Sequence, residues 1–157
     1  MRIIERTIDH EGGYFFHPAD PGGETRYGIS RRNYPSLDIK RISKEQAVEL
    51  YRRDIYDPLN LEGIDSARVR FKIFDIAVSA GTSVSVNMLQ GIVGAEVNGV
   101  IDRETTALVN AMNENELLLA LLQMQLLHYG DIVSQHPERA MQLKGWILRA
   151  FDLGEGL

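Results

Sequence analysis

A helix that is apolar on nearly every side can sit only in the middle of a protein, and residues 67–80 (ARVRFKIFDIAVSA) spell such a helix. Its apolar positions 69, 71, 73, 74, 76, 77 and 78 almost encircle it. Ser66 stands where an N-cap belongs, and Gly81 ends the pattern. The rest of the chain has to wrap this centre. Arg2 to His10 reads as a short amphipathic helix with Ile3, Ile4 and Ile8 on one side, stopped by Gly12-Gly13. Ser43-Lys44-Glu45-Gln46 reads as a capping box that leads AVELYRRDIY as a helix to a stop at Asp57-Pro58. Further helices are expected from about Thr82 to Val93, from the Asp102 cap to about Met112, from Asn115 to about Val133, and from Pro137 to about Leu153. Pro18, Pro21, Gly22, Gly23 and Gly28 break up the segment between the first two helices, and Pro35 extends that loop. The expected fold is mainly α, one compact domain over residues 1–157, with a small irregular or β-hairpin lobe around residues 14–34.

Composition removes several functional classes. With no cysteine, thiol catalysis, disulfides and thiolate metal sites are excluded. Residues 1–60 carry ten basic and ten acidic side chains, and residues 61–157 carry seven and twelve, so the net charge of −5 falls on the second part. An acidic chain without a basic stripe argues against nucleic acid as a partner. The longest apolar run, LLLALLQMQLL at 117–127, is broken by glutamines and short for a bilayer, so stable membrane insertion is not expected. The opening residues MRIIERTIDH show no secretory signal, which places synthesis in the cytoplasm.

The chemistry concentrates in HEGGYFFHPADPGGETRYGIS, residues 10–30. Glu11 ends the first helix, where the helix dipole disfavours an anion, and Tyr14, Phe15 and Phe16 follow at once. Rings packed beside a carboxyl group disfavour its charged form, so both effects act to hold a proton on Glu11. A protonated glutamic acid is what glycosidic cleavage uses to protonate its leaving group. A surface glutamate at a frayed helix end is the plainer alternative. Asp20 lies in a strong turn signal, and a turn role is compatible with facing Glu11 across a sugar. Thr25 offers a hydroxyl for the same water, and Tyr14 and Tyr27 offer rings with polar tips to a sugar face. His10 and His17 flank the motif without the HExxH spacing of a zinc site, and no metal or organic cofactor is expected. Asp75, on the central helix, is either a buried structural acid or a member of the site.

Glu11-Gly12-Gly13-Tyr14, followed by Pro18-Ala19-Asp20-Pro21-Gly22-Gly23-Glu24-Thr25-Arg26-Tyr27-Gly28-Ile29-Ser30, resembles the signature of the glycoside hydrolase 108 family. That family comprises phage and prophage N-acetylmuramidases, some of them labelled secretion activator proteins. FDIAVSAGTSVSVNMLQ, GVIDRETTALVNA and GWILRAFD resemble the predicted peptidoglycan-binding region of the same family. The resemblance implies a catalytic portion at residues 1–65 and a peptidoglycan-binding helical portion at residues 66–157. It places the catalytic glutamate at Glu11. A looser likeness to the Glu-Asp-Thr triad of T-even phage endolysins brings in Asp20 and Thr25, although four residues separate these two here against five there. That likeness implies a lysozyme-like fold.

Three functions follow as expectations. The first is hydrolysis of the β-1,4 bond between N-acetylmuramic acid and N-acetylglucosamine in bacterial peptidoglycan, with Glu11 as general acid. The second is lytic transglycosylation of the same bond, which closes a 1,6-anhydro ring instead of admitting water. The third is a non-catalytic wall-binding or secretion-assisting module. Each acts at the cell wall or periplasm, so a chain without a signal would depend on a separate holin or a secretion system.

Overall fold

The computed structural model describes residues 2–16 and 23–157. Helix α1, Arg2–Glu11, runs one turn position beyond the expected end, so Glu11 is its last helical residue. Ile3, Ile4 and Ile8 are buried along one side as the spacing predicts, and Thr7 joins them. Past the helix, Phe15 pairs with Thr25, the first residue of a short hairpin made by β1, Thr25–Arg26, and β2, Ile29–Ser30. The strands are antiparallel, with Thr25 opposite Ser30 and Arg26 opposite Ile29. Tyr27 and Gly28 make the turn, with φ of 54° and 75°. Two successive positive φ values match the right-handed twist of a tight hairpin, and glycine takes the second without strain. The turn is tied to the end of α1, because the Tyr27 amide donates to the Gly12 carbonyl at 3.2 Å.

The capping box at Ser43 forms as expected and opens α2, Lys44–Tyr51. The stop expected at Asp57-Pro58 does not occur there. The chain passes into a π-helical stretch, Arg52–Tyr56, and then a last turn, α3, Asp57–Leu59. In the π register the Asp57 amide donates to the Arg52 carbonyl, and this wider turn gives the following proline ring room. The rod ends instead at Asn60, whose left-handed backbone (φ 53°) supplies the break.

Helix α4, Ala67–Ala80, is the centre that its pattern demanded, with Phe71, Ile73, Phe74 and Ile76 fully buried. It packs against α1, against α5, Thr82–Val93, and against α7, Glu114–Gln135. Two charged residues, Lys72 and Asp75, share this core. Helix α6, Arg103–Ala111, starts at the Asp102 cap and ends one residue short of the expected Met112. The loop before it is organised by buried Gln90, whose Oε1 accepts from the Asn98 and Gly99 amides and whose Nε2 donates to the Val100 carbonyl.

Helix α7 has 22 residues and a mean hydropathy of 1.3 over its most apolar window, long and apolar enough to cross a membrane. The expectation from residues 117–127 alone understated it, since the whole helix is twice that run. In this fold Leu117, Leu118, Leu121 and Leu122 are buried against neighbouring helices, while Leu119 and Leu127 stay exposed. After α7 the chain turns through a 3-10 segment, Pro137–Arg139, into α8, Ala140–Ala150. The expected single helix from Pro137 to Leu153 is therefore divided at its start and three residues shorter at its end. Helices α7 and α8 pack as a hairpin, with Tyr129, Leu122 and Ala150 at the centre of a small second core and Trp146 against it.

Candidate active site

Glu11 reaches the end of α1 because Gly12, at φ 75°, breaks the helix in a left-handed conformation. Its carboxyl group lies against Gly28 in the hairpin turn. A β-carbon placed on Gly28 would come within 2.8 Å of Glu11 Cγ and 2.9 Å of Cδ, and nearer still to the Tyr51 hydroxyl. Gly28 is therefore required twice, for its positive φ and for the absence of a side chain. Tyr51, from the end of α2, is buried, and its ring meets Phe74 edge-on at 6.3 Å. Burial first, and the neighbouring Glu11 charge second, push the Tyr51 hydroxyl well above its usual range, so it remains a neutral donor.

The remaining partner comes from the far end of the chain. Arg149 Nη1 donates to Glu11 Oε1 at 2.5 Å. The same guanidinium donates from Nε and Nη2 to Asp75 Oδ1 at 3.1 and 2.9 Å. Asp75 is fully buried on α4, and Arg149 is largely so on α8. Burial alone works against the Arg149 charge, but Asp75 and then Glu11 more than offset it and raise its pKa. Asp75 is thus a buried acid of the core that is linked to Glu11 through Arg149.

A second set of contacts ties the two chain ends together one turn away. Asp152 accepts from Arg6 Nε at 2.7 Å and lies 2.7 Å from His10 Nε2. His10 therefore belongs to a carboxylate clamp that fixes the last turn of α1. Buried Lys72 donates to the Ala150 carbonyl at 2.5 Å, so α4 holds α8 by its backbone as well as through Asp75.

The rings expected to cover Glu11 do not do so. Phe15 and Phe16 are more than half exposed, and Tyr14, at 42% exposure, donates from its hydroxyl to Glu24 at 3.3 Å. A chain emerging from a glycine stop is led outward, and the ring found beside the acid is Tyr51, from α2. Thr25 and Tyr14 make their contacts within the hairpin lobe, the Thr25 hydroxyl facing the Phe15 carbonyl at 3.5 Å. Tyr27 lies near the end of α1 through its bond to Gly12, with the Arg26 guanidinium 5.3 Å from its ring centre. Asp20 and His17 fall outside the described residues.

Glu11 opens onto a cleft of about 250 Å³ between α4, α7 and α8. Besides Glu11 it is lined by Val78, Ser79, Tyr129, Ile132, Arg139, Trp146 and Arg149. Sequence reasoning missed Arg149, Tyr51 and the clamp at Asp152. The one local signal available was a lone arginine and aspartate in GWILRAFD, in a chain whose central helix carries an unexplained buried aspartate.

The chain is thus a mainly α, lysozyme-like domain that presents a held carboxyl group to a cleft, with a small hairpin packed against the same acid. Residues 4–81, the segment that contains Glu11, match the model of the Glycosyl hydrolase 108 family. The structure of SagA from Brucella abortus superimposes with a TM-score of 0.76 at 25% sequence identity, covering 98% of this chain and 94% of that one. No curated protein matches the sequence.

Proposed function

We propose that the protein is a peptidoglycan hydrolase of the N-acetylmuramidase type. It would cleave the β-1,4 bond between N-acetylmuramic acid and N-acetylglucosamine. The observation that carries this reading is the carboxyl group of Glu11, fixed by Arg149 at the edge of a cleft. Glu11 is the general acid. Its proton passes to the glycosidic oxygen as the C1–O bond breaks, and a water oxygen bonds to C1 and gives up one proton, so that over the turnover one water is added across the bond and the acid is restored. Because Asp75 already neutralises Arg149, the arginine aims Glu11 mainly as a directional donor rather than as a lone positive charge. Asp20, with Thr25, takes the water-managing role in this reading, and Tyr14 and Tyr27 contact sugar from the hairpin lobe.

The cleft takes one lining residue from residues 1–65 and seven from residues 66–157. This supports the second portion of the chain as a wall of the same site, holding glycan where Glu11 acts. The protein then works at the cell wall, reached through a holin or a secretion system. Digestion of isolated peptidoglycan by wild-type and Glu11→Gln protein tests the reading, with products analysed by mass spectrometry. Reducing muramic ends from wild type are expected, with release reduced roughly 10²–10⁴-fold in the variant. Anhydro ends would assign a lytic transglycosylase. Equal release by both proteins would remove Glu11 from catalysis.

A further inference from the structure

The cleft contains two arginines in different states. Arg149 has its donors engaged by Asp75 and Glu11. Arg139, from the 3-10 turn between α7 and α8, is exposed on the cleft wall, and among the described residues no acceptor engages its guanidinium. The Tyr129 hydroxyl accepts from Gln125 at 2.7 Å, and the Ser79 hydroxyl donates to the Ile76 carbonyl at 3.2 Å. In the same cleft, the rings of Tyr129 and Trp146 lie 5.3 Å apart at 38° and supply an aromatic surface. A free guanidinium fork sharing a cleft with flat rings fits a planar anion attached to a sugar.

We propose that the Arg139 end of the cleft binds a carboxylate carried by the glycan, so that the protein selects acidic muramyl units over neutral glucosaminyl ones. The proposal rests on the muramidase reading and adds to it a residue that determines specificity. Two carboxylates have this chemistry: the free lactyl group of a bare muramyl sugar, and the carboxylates of a stem peptide when the lactyl group is amidated. Either forms paired N–H···O bonds with Arg139 while the sugar or peptide backbone lies along Trp146.

Trp146 is the sole tryptophan of the chain, so its fluorescence reports on this wall directly. Wild-type, Arg139→Gln and Arg139→Lys proteins are titrated with three uncleavable probes. These are a muramyl disaccharide without peptide, the same disaccharide carrying a tetrapeptide, and neutral diacetylchitobiose. The expected result is a Trp146 response to an acidic probe that weakens about ten-fold or more in Arg139→Gln, with Arg139→Lys intermediate and the neutral probe unchanged. A response to the bare disaccharide identifies the lactyl carboxylate, and a response only to the peptide form identifies the stem. Equal binding of the acidic probes by wild type and Arg139→Gln would overturn the proposal. So would equal weakening for diacetylchitobiose. Cleavage of isolated peptidoglycan is measured in parallel: carboxylate-dependent binding without cleavage overturns the hydrolase reading alone, and cleavage without such binding overturns this proposal alone.

Discussion

Arg149 closes a two-point fork on Asp75, with Nε and Nη2 at 3.1 and 2.9 Å from the same carboxylate oxygen. The fork leaves Nη1 directed at Glu11, which is how a core residue on α4 sets the geometry of an acid on α1. Removing the arginine strands a buried charge. Arg149→Met is expected to destabilise the protein by about 3–5 kcal/mol in urea denaturation. Adding Asp75→Asn to that variant should restore most of the stability and none of the activity. Restored activity in the double variant would show that Glu11 needs no such guide.

Gly28→Ala separates site geometry from folding. The added methyl must enter space held by the Glu11 side chain and the Tyr51 hydroxyl, on a residue with φ 75°. The backbone cost is about 1–2 kcal/mol. Displacing the acid by an ångström is the larger effect, and activity on peptidoglycan is expected to fall on the order of a hundred-fold. Circular dichroism should stay helical and the melting temperature should drop by only a few degrees. Undiminished activity would mean that Glu11 does not act from this position.

Lys72 makes stability depend on alkaline pH. Burial first, opposed by Asp75 and Asp152, lowers its pKa from 10.5 to about 8. Between these values the unfolded chain binds a proton that the folded chain has released, so stability rises with pH across that window. The gain is on the order of 3 kcal/mol relative to Lys72→Met, which has no such proton to lose. Urea denaturation of both proteins from neutral pH upward measures it; parallel curves would place the lysine charge in a solvated environment.

Asp152 acts at the opposite end of the scale. Burial alone would raise its pKa, but Arg6, the Gly154 amide and His10 outweigh it and lower the value from 3.8 to about 2. A depressed carboxyl pKa contributes stability that is complete above the unfolded value and disappears as pH falls through the folded one. About 2 kcal/mol should therefore be lost between pH 3.8 and about 2 in wild type and retained as a constant deficit in Asp152→Asn. Thermal melts across that range, compared for the two proteins, test it.

What could be read in advance was local. The caps at Ser43, Ser66 and Asp102 form where their side chains reach amides three residues on, and neighbours in sequence suffice to specify that. The apolar encirclement of α4 needed no partner to identify it as the core. Glu11 was visible because its helix stop and motif adjoin it. Its guide was not, since 138 positions separate it from Arg149 and no periodicity connects them. Asp75 could be recognised as buried but not assigned a partner for the same reason. Pro58 misled because a proline reads as a stop, whereas a π turn just before it allowed the rod to continue.

The last helix supplying the partner of the first has a temporal meaning. During synthesis the family motif emerges well before the arginine that fixes its acid. Only when α8 docks, bringing Arg149 to Glu11 and Asp152 to Arg6 and His10, does the acid gain its orientation. A chain cut before α8 keeps its recognisable signature but lacks every contact that fixes Glu11 from that helix.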